Sequence, residues 1–231
     1  MIGIIGAMGE EIQILLGKSN IMGRQKIANM SFTQCRLNGK DCVLVVSGIG
    51  KVNAAVCTQI LISDFSVDRI INTGVAGAVD KRLDIGDIVI SSDLIEYDVD
   101  TSVFGDKQGV IPRMETSIFE ADATLVDLSY KSGCDFKDLI SYKGRILSGD
   151  RFVADKDEVA WLKKEFSGMA VEMEGAAIAH TCYLNHIPFV VIRSISDRAD
   201  DKANFDYDEF LHFAAEKASR IILDVLDNLY C

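Results

Sequence analysis

Carboxylates are the groups in this 231-residue chain best placed to do chemistry. Glu172 and Glu174 flank Met173 in "GMAVEMEGAAIAHTCYL", residues 168–184, after an apolar segment and before a run of small residues. Residues two apart on a strand share a face, so the pair is expected to point the same way if the strand reaches Glu174. Burying two carboxylates on one side is costly unless something pairs with them. The next strand-like run, "PFVVIRSISD" (188–197), ends in Arg193, Ser196 and Asp197. Arg193 is the expected internal partner for one glutamate. Glu174 and Asp197 are then left to meet a polyhydroxylated or basic ligand, with exposed loop acids as the plain alternative.

Three earlier strand ends also carry noteworthy residues. "GAMGEE" (6–11) places Glu10 and Glu11 in a first helical turn, where acids suit the macrodipole whatever else they do. Gly3, Gly6 and Gly9 are spaced by three, which is not the G-x-G-x-x-G of a dinucleotide fingerprint. "SGIGK" (47–51) is either an anion cradle at a helix N-terminus or a tight strand-to-helix turn, and it lacks P-loop spacing. The glycines of "NTGVAGAV" (72–79) let backbone pass close to a ligand or to another strand. His180, His186 and His212 have no ligand-type spacing to one another or to cysteine, so no metal site is expected. There is no G-x-S-x-G elbow and no Cys–His signature.

The elements that must position these groups alternate. Residues 2–8 read as a buried strand followed by the helical "EEIQILLG", and 30–50 as a hairpin turning at Asn38-Gly39. A buried helix is expected in "KVNAAVCTQILISDF", then strands in "DRIINTGVAG" and "GDIVISSDLIEYDV", then a loop over 98–118. Helices follow at 121–131, 155–166 and 175–184, and strands at 142–148, 168–172 and 188–197. Phe210, Ala214, Ala218, Ile221, Ile222 and Val225 give 206–228 one apolar face, an amphipathic closing helix. Strands that are apolar on both faces and alternate with helices imply a central sheet covered on two sides. We find no linker or repeat and expect one α/β domain over residues 1–231, its site gathered where strands end and loops open.

The net charge of −11 argues against a nucleic-acid or anionic-membrane surface, which must neutralise phosphates with Lys and Arg. No run reaches the ~18 apolar residues of a membrane helix. The apolar start is short and lacks a basic region or cleavage site, which fits a core strand better than a signal peptide. Six cysteines without a C-x-x-C pair fit reduced thiols in a cytoplasmic protein.

Taken in order, "IGIIGAMGEEI", "SGIGKVNAA", "INTGVAGAV", "GDIVIS", "SGDRFV", "AVEMEGAAIAH", "PFVVIRSISDRAD" and "YDEF" resemble the bacterial 5′-methylthioadenosine/S-adenosylhomocysteine nucleosidases, members of the purine nucleoside phosphorylase superfamily. The resemblance runs from Met1 to the last helix. It implies a mixed, partly barrel-like sheet flanked by helices in a three-layer, phosphorylase-like architecture. The implied activity is hydrolysis of an N-glycosidic bond, releasing adenine and a 5-thioribose derivative, with no cofactor. Such a bond breaks through an oxocarbenium-like transition state. Asp197 matches the acid that protonates the leaving adenine, and Glu11 the base that holds water under the anomeric carbon. Glu174 matches the residue that grips the ribose hydroxyls, with Met173 packed on the sugar and Glu172 and Arg193 in support. Phe152 and Val153 would hold adenine near Ser196, with Ile49, Ala76 and Gly77 as further substrate contacts. Tyr207 would close one side. The resemblance also implies a homodimer in which Phe104 and Pro112 of the partner's 98–118 loop complete an apolar 5′ pocket.

Two departures touch preference rather than reaction type. Val75 stands where many relatives carry Ser, removing a hydrogen bond near ribose or water, and Asp106 stands where some place an aromatic residue. Two rival enzymes act on the same fold. A phosphate-dependent phosphorylase is disfavoured by Glu10 and Glu11, which would repel the incoming dianion. An aminodeoxyfutalosine nucleosidase is left open. A non-catalytic nucleoside-binding protein would have no reason to hold Glu11, Glu174 and Asp197 together.

Overall fold

The computed structural model describes residues 1–199 and 210–229 fully, and residues 203–209 as helical backbone. The opening apolar run forms β1 (Ile2–Gly6), buried along its whole length. It lies parallel to both β4 (Lys40–Val46) and β5 (Arg69–Ala78). Two covered faces explain why it carries no polar side chain. Ile4 packs with Ile12 and Leu15 of α1 (Gly9–Lys18) on one side, and Ile5 with Ala54 and Leu61 of α2 (Lys51–Phe65) on the other.

β3 (Met30–Leu37) and β4 form the expected hairpin. Asn38 and Gly39 both have positive φ, 47° and 77°, the pattern of a primed two-residue turn. Two strands are absent from the sequence reading, a two-residue one at Phe119–Glu120 and one at the sheet edge. β2 (Asn20–Ile27) pairs antiparallel with β3 at the sheet edge, mostly exposed. "NIMGRQKI" shows no clear apolar alternation because backbone hydrogen bonds, rather than a buried face, hold it in place.

β5 is followed by β6 (Ile88–Glu96) and the irregular 98–118 stretch, whose only regular piece is a 3-10 turn at Ser102–Phe104. A two-residue strand, β7 (Phe119–Glu120), then pairs with β6. The remaining elements are α3 (Ala123–Asp135), β8 (Ser141–Ser148), α4 (Lys156–Phe166), β9 (Ala170–Glu172), α5 (Gly175–Asn185), β10 (Phe189–Asp197) and α6 (Ala203–Asn228). On α6, Ala214, Ala218, Ile221, Ile222 and Val225 are buried as expected, whereas Phe210 is only half-buried.

The strand order is β10-β6-β8-β9-β5-β1-β4-β3-β2, and β10 also pairs with β5. That extra pairing closes five strands into a barrel, and β1, β4, β3 and β2 extend from it as an open sheet. α2 and α5 pack together over one face, while α1, α3 and α6 cover the other. The fold is therefore mixed α/β, half open sheet and half barrel. Cys35 and Cys42 face each other across the β3–β4 register as free, buried thiols. No helix among the described residues is long and apolar enough to cross a membrane.

The feature of the sheet that creates the site is the way β5 changes neighbours. On one edge it pairs with β1 as far as Asn72 and with β9 only from Gly77 onward. Its other edge runs along β10 throughout. Residues 73–76 therefore have one edge with no strand beside it, and the cleft opens there.

Candidate active site

A cleft of about 470 Å³ lies where β1, β4, β5, β9 and β10 end. Glu11 reaches into it from the first turn of α1, almost completely buried. One carboxylate oxygen accepts the backbone N–H groups of Ala7 (2.7 Å) and Met8 (3.0 Å), and the other accepts that of Val75 (3.1 Å). The Val75 amide comes from the bare edge of β5, so the break in strand pairing holds the carboxylate. Burial raises the Glu11 carboxyl above its ordinary range, against the pull of Arg193 and the three amides. Gly74 is required beside it, because a Cβ there would lie 2.5 Å from the Glu11 oxygen.

Arg193 forms the floor of the site, 1% exposed. Its guanidinium donates to Glu172 through two nitrogens and to the Asn72 side chain at 2.6 Å. Glu172 also accepts the Ser148 hydroxyl and the backbone N–H groups of Glu174 and Gly175. Burial works against the Arg193 charge, and the surrounding Glu172, Glu11 and Glu174 more than offset it, pushing its pKa up. The expected pairing of Arg193 with one glutamate is thus with Glu172.

The expected common face for Glu172 and Glu174 does not occur. β9 stops at Glu172, and Glu174 is the residue immediately before α5, at φ −135° and ψ −40°. The turn sends the two carboxylates to different partners. Glu174 accepts the Gly50 backbone N–H at 2.8 Å, across the cleft mouth from the "SGIGK" turn. Burial and then the neighbouring Glu172 charge push Glu174 up to about 7, against the pull of Arg193 and the Gly50 amide.

Asp197 is buried at the end of β10, accepting the Ser196 hydroxyl and the Ala199 N–H, each at 2.8 Å. The Ser196 hydroxyl also lies 3.4 Å from the Ala76 carbonyl on β5. Phe152, Val153 and Met173 line the same cleft, as do Ile49, Ala76 and Gly77. Arg193 lies behind the lining. Phe104 and Pro112 lie away from this chain's cleft, both exposed, Phe104 at 86%. Tyr207 falls where side chains are outside the described residues.

Residues the sequence reading passed over include Ala7, Met8, Arg151 and Val171 in the lining, and Asn72, Ser148 and Gly50 as partners of the charged groups. Met8 and Arg151 stand inside the quoted motifs, but a backbone amide or a neutral side chain carries no signal in residue type, and a lone arginine does not show which cleft it lines until the fold is formed. Val75 contributes its amide, which its side-chain identity leaves unchanged. Asp106 accepts the Thr101 hydroxyl at 3.0 Å within its own loop. Among the described residues no three His, Cys, Asp or Glu side chains gather to hold a metal ion.

A half-closed mixed sheet with four buried carboxylates and a buried arginine around one cleft defines a class of protein, and the model of the phosphorylase superfamily matches residues 1–227. The 5′-methylthioadenosine/S-adenosylhomocysteine nucleosidase of Staphylococcus haemolyticus is 45% identical, over 99% of this chain and 100% of its own. The Neisseria meningitidis nucleosidase, solved in complex with methylthio-immucillin-A, superposes with a TM-score of 0.95 at 40% identity over 99% of both chains. Futalosine hydrolase of Helicobacter pylori superposes at 0.94, with 34% identity over 99% of this chain and 97% of that one. The chain belongs to the phosphorylase superfamily, in the branch of the 5′-methylthioadenosine/S-adenosylhomocysteine nucleosidases.

Proposed function

We propose that this protein hydrolyses the N-glycosidic bond of 5′-methylthioadenosine and S-adenosylhomocysteine, as the names of its relatives indicate for them. The observation that carries the reading is the convergence of Glu11, Glu174 and Asp197 on one cleft from three distant parts of the chain. Asp197 gives a proton to N7 of adenine as the C1′–N9 bond breaks. Glu11, its carboxyl raised by burial, takes a proton from the water whose oxygen bonds to C1′. Glu174 accepts hydrogen bonds from the ribose hydroxyls, and Met173 packs on the sugar. Adenine lies against Phe152 and Val153.

Water rather than phosphate is the nucleophile. Arg193 is already committed to Glu172 and Asn72, and among the described residues Arg151 is the sole lysine or arginine lining the cleft, 68% exposed in its side chain. A phosphate dianion would meet Glu11 and Glu174 without a buried cation to neutralise it. The likeness to futalosine hydrolase supports aminodeoxyfutalosine as a second substrate. The exposed Phe104, with Val103 and the Ile49, Val52 and Val56 face, supports a homodimer in which the partner's loop, with its Phe104 and Pro112, closes the 5′ pocket. We place the enzyme in the cytoplasm.

Adenine release should be assayed from methylthioadenosine, adenosylhomocysteine and aminodeoxyfutalosine, each with and without phosphate. Phosphate-independent release from the first two is expected. Release that requires phosphate, or none from any substrate, would overturn the reading.

A further inference from the structure

The "SGIGK" turn carries a lysine that the nucleoside cleft does not use. Lys51 is the first residue of α2, the end where the helix macrodipole disfavours a cation, and no acid stands in that first turn. Its side chain is partly buried, 16% exposed, with the ammonium 3.2 Å from Glu96 and 2.5 Å from Asp98. Burial works against the Lys51 charge, and Asp98 and Glu96 more than offset it, raising its pKa. A partly buried cation at the wrong end of a helix breaks two local preferences at once, and such breaches gather at functional positions. With its one cation already paired to carboxylates, "SGIGK" is a tight turn and not an anion cradle.

The pairing closes a ring. One Asp98 oxygen accepts the Lys51 ammonium, and the other accepts the Asp150 N–H at 3.0 Å. Asp150 in turn accepts the Lys51 backbone N–H at 2.8 Å, so one circuit of three residues holds both the side chain and the backbone of Lys51. Glu96 ties the ring to α5, since its second oxygen is hydrogen-bonded to His180 Nδ1 at 2.9 Å. The neighbour that needs this support is Gly50, whose N–H donates to Glu174 at 2.8 Å. Gly48 and Gly50 both have positive φ, 85° and 97°, in a turn whose glycines impose no direction of their own. The aim of the Gly50 amide has to be imposed from outside, and the ring begins at the next residue.

We infer that Lys51 is a positioning residue for the ribose clamp: gripped by Glu96, Asp98 and Asp150, it locks the glycine turn so that the Gly50 amide stays on Glu174. The inference rests on the proposed hydrolase reading and adds to it a residue whose side chain lies outside the cleft lining. Glu174 is faced by Glu172 of β9, Arg193 of β10, Glu11 of α1 and the Gly50 amide. Glu11 takes its amides from Ala7, Met8 and Val75, outside the turn. Loosening the ring therefore takes a donor from Glu174, favours its protonated form and delays the working carboxylate to higher pH.

The test follows adenine release from methylthioadenosine across pH in the wild type, Lys51→Met and Asp150→Ala enzymes. Neither residue lines the cleft, and Asp150 is exposed, so its variant probes the lock even where Lys51→Met folds poorly. The acid limb of kcat/KM is expected to move up by about one pH unit in both variants, through loss of one hydrogen bond to a charged group. Activity should then be about tenfold low at pH ~6 and within about twofold of wild type at pH ~9. The two variants separate aim from charge, because removing a cation raises a nearby carboxyl and removing an anion lowers it. A direct field effect would thus move the limb down in Asp150→Ala, where the lock moves it up. A limb that moves down or stays in Asp150→Ala, or stays in Lys51→Met even with an equal loss at every pH, would overturn the lock. A wild type that releases no adenine would instead overturn the hydrolase reading.

Discussion

The floor and the mouth of the cleft hold the same kinds of side chain under opposite conditions. At the floor, Arg193 and Glu172 are saturated, with Asn72, Ser148 and two backbone amides completing their hydrogen bonds. At the mouth, Glu174 accepts the Gly50 amide and has a carboxyl raised to about 7. Two residues apart in the chain, Glu172 and Glu174 are an internal strut and a waiting acceptor. A buried charge whose hydrogen-bonding capacity is filled fixes geometry, whereas one left short is unstable alone and gains most from a ligand.

Three substitutions sharpen or break that contrast. The largest effect is expected from Asp197→Asn, which should lower kcat at least about 10³-fold while the thermal midpoint moves little. Near-normal adenine release from that variant would remove Asp197 from the acid role. Arg193→Met strikes the floor and leaves Glu172 and Glu11 buried without their cation. We expect about 3–5 kcal/mol of lost stability in denaturant unfolding, and a loss below about 1 kcal/mol would show that the floor is not held by charge.

The smallest effect carries the opposite sign. Glu174 has its folded-state pKa raised from 4.5 to about 7, so the folded protein binds more protons than the unfolded chain between those values. Its ionisation therefore subtracts stability as pH rises through that window, fully above about 7 and not at all below the unfolded value. Glu174→Gln should raise the thermal midpoint of the unliganded protein by a few degrees at pH 8, and the gain should shrink toward pH 5. The same variant should lose turnover, because the amide cannot accept from the ribose hydroxyls as a carboxylate does. A gain that grew as pH fell would contradict the assignment of strain to the mouth.

Much of the site was legible as residue types at strand ends. The acids Glu11, Glu174 and Asp197 each follow an apolar run, and the Asn38-Gly39 turn and the apolar face of α6 follow from local pattern, whereas α2, expected to be buried, buries one face and exposes Val52 and Val56 on the other. β2 was illegible because an edge strand that buries little has no apolar period to display. The shared face assigned to Glu172 and Glu174 failed because strand length, not spacing, decides orientation, and β9 ends two residues short of Glu174. Arg151 gave no signal, since its charge belongs to no chemical constellation until loops distant in sequence are brought together.

By itself the sequence determined the inventory: which strands are apolar on both faces, which turns bend, and which carboxylates stand where strands stop. Those are properties of neighbouring residues, set by side-chain period and backbone preference. Tertiary structure alone decided what each carboxylate became. The pairing of β10 with β5 closes the barrel, and the gap between β1 and β9 along β5 bares the Val75 amide for Glu11. The physical reason is that a buried charge is defined by its donors, and the donors here are backbone amides and an arginine contributed by strands far apart in the chain.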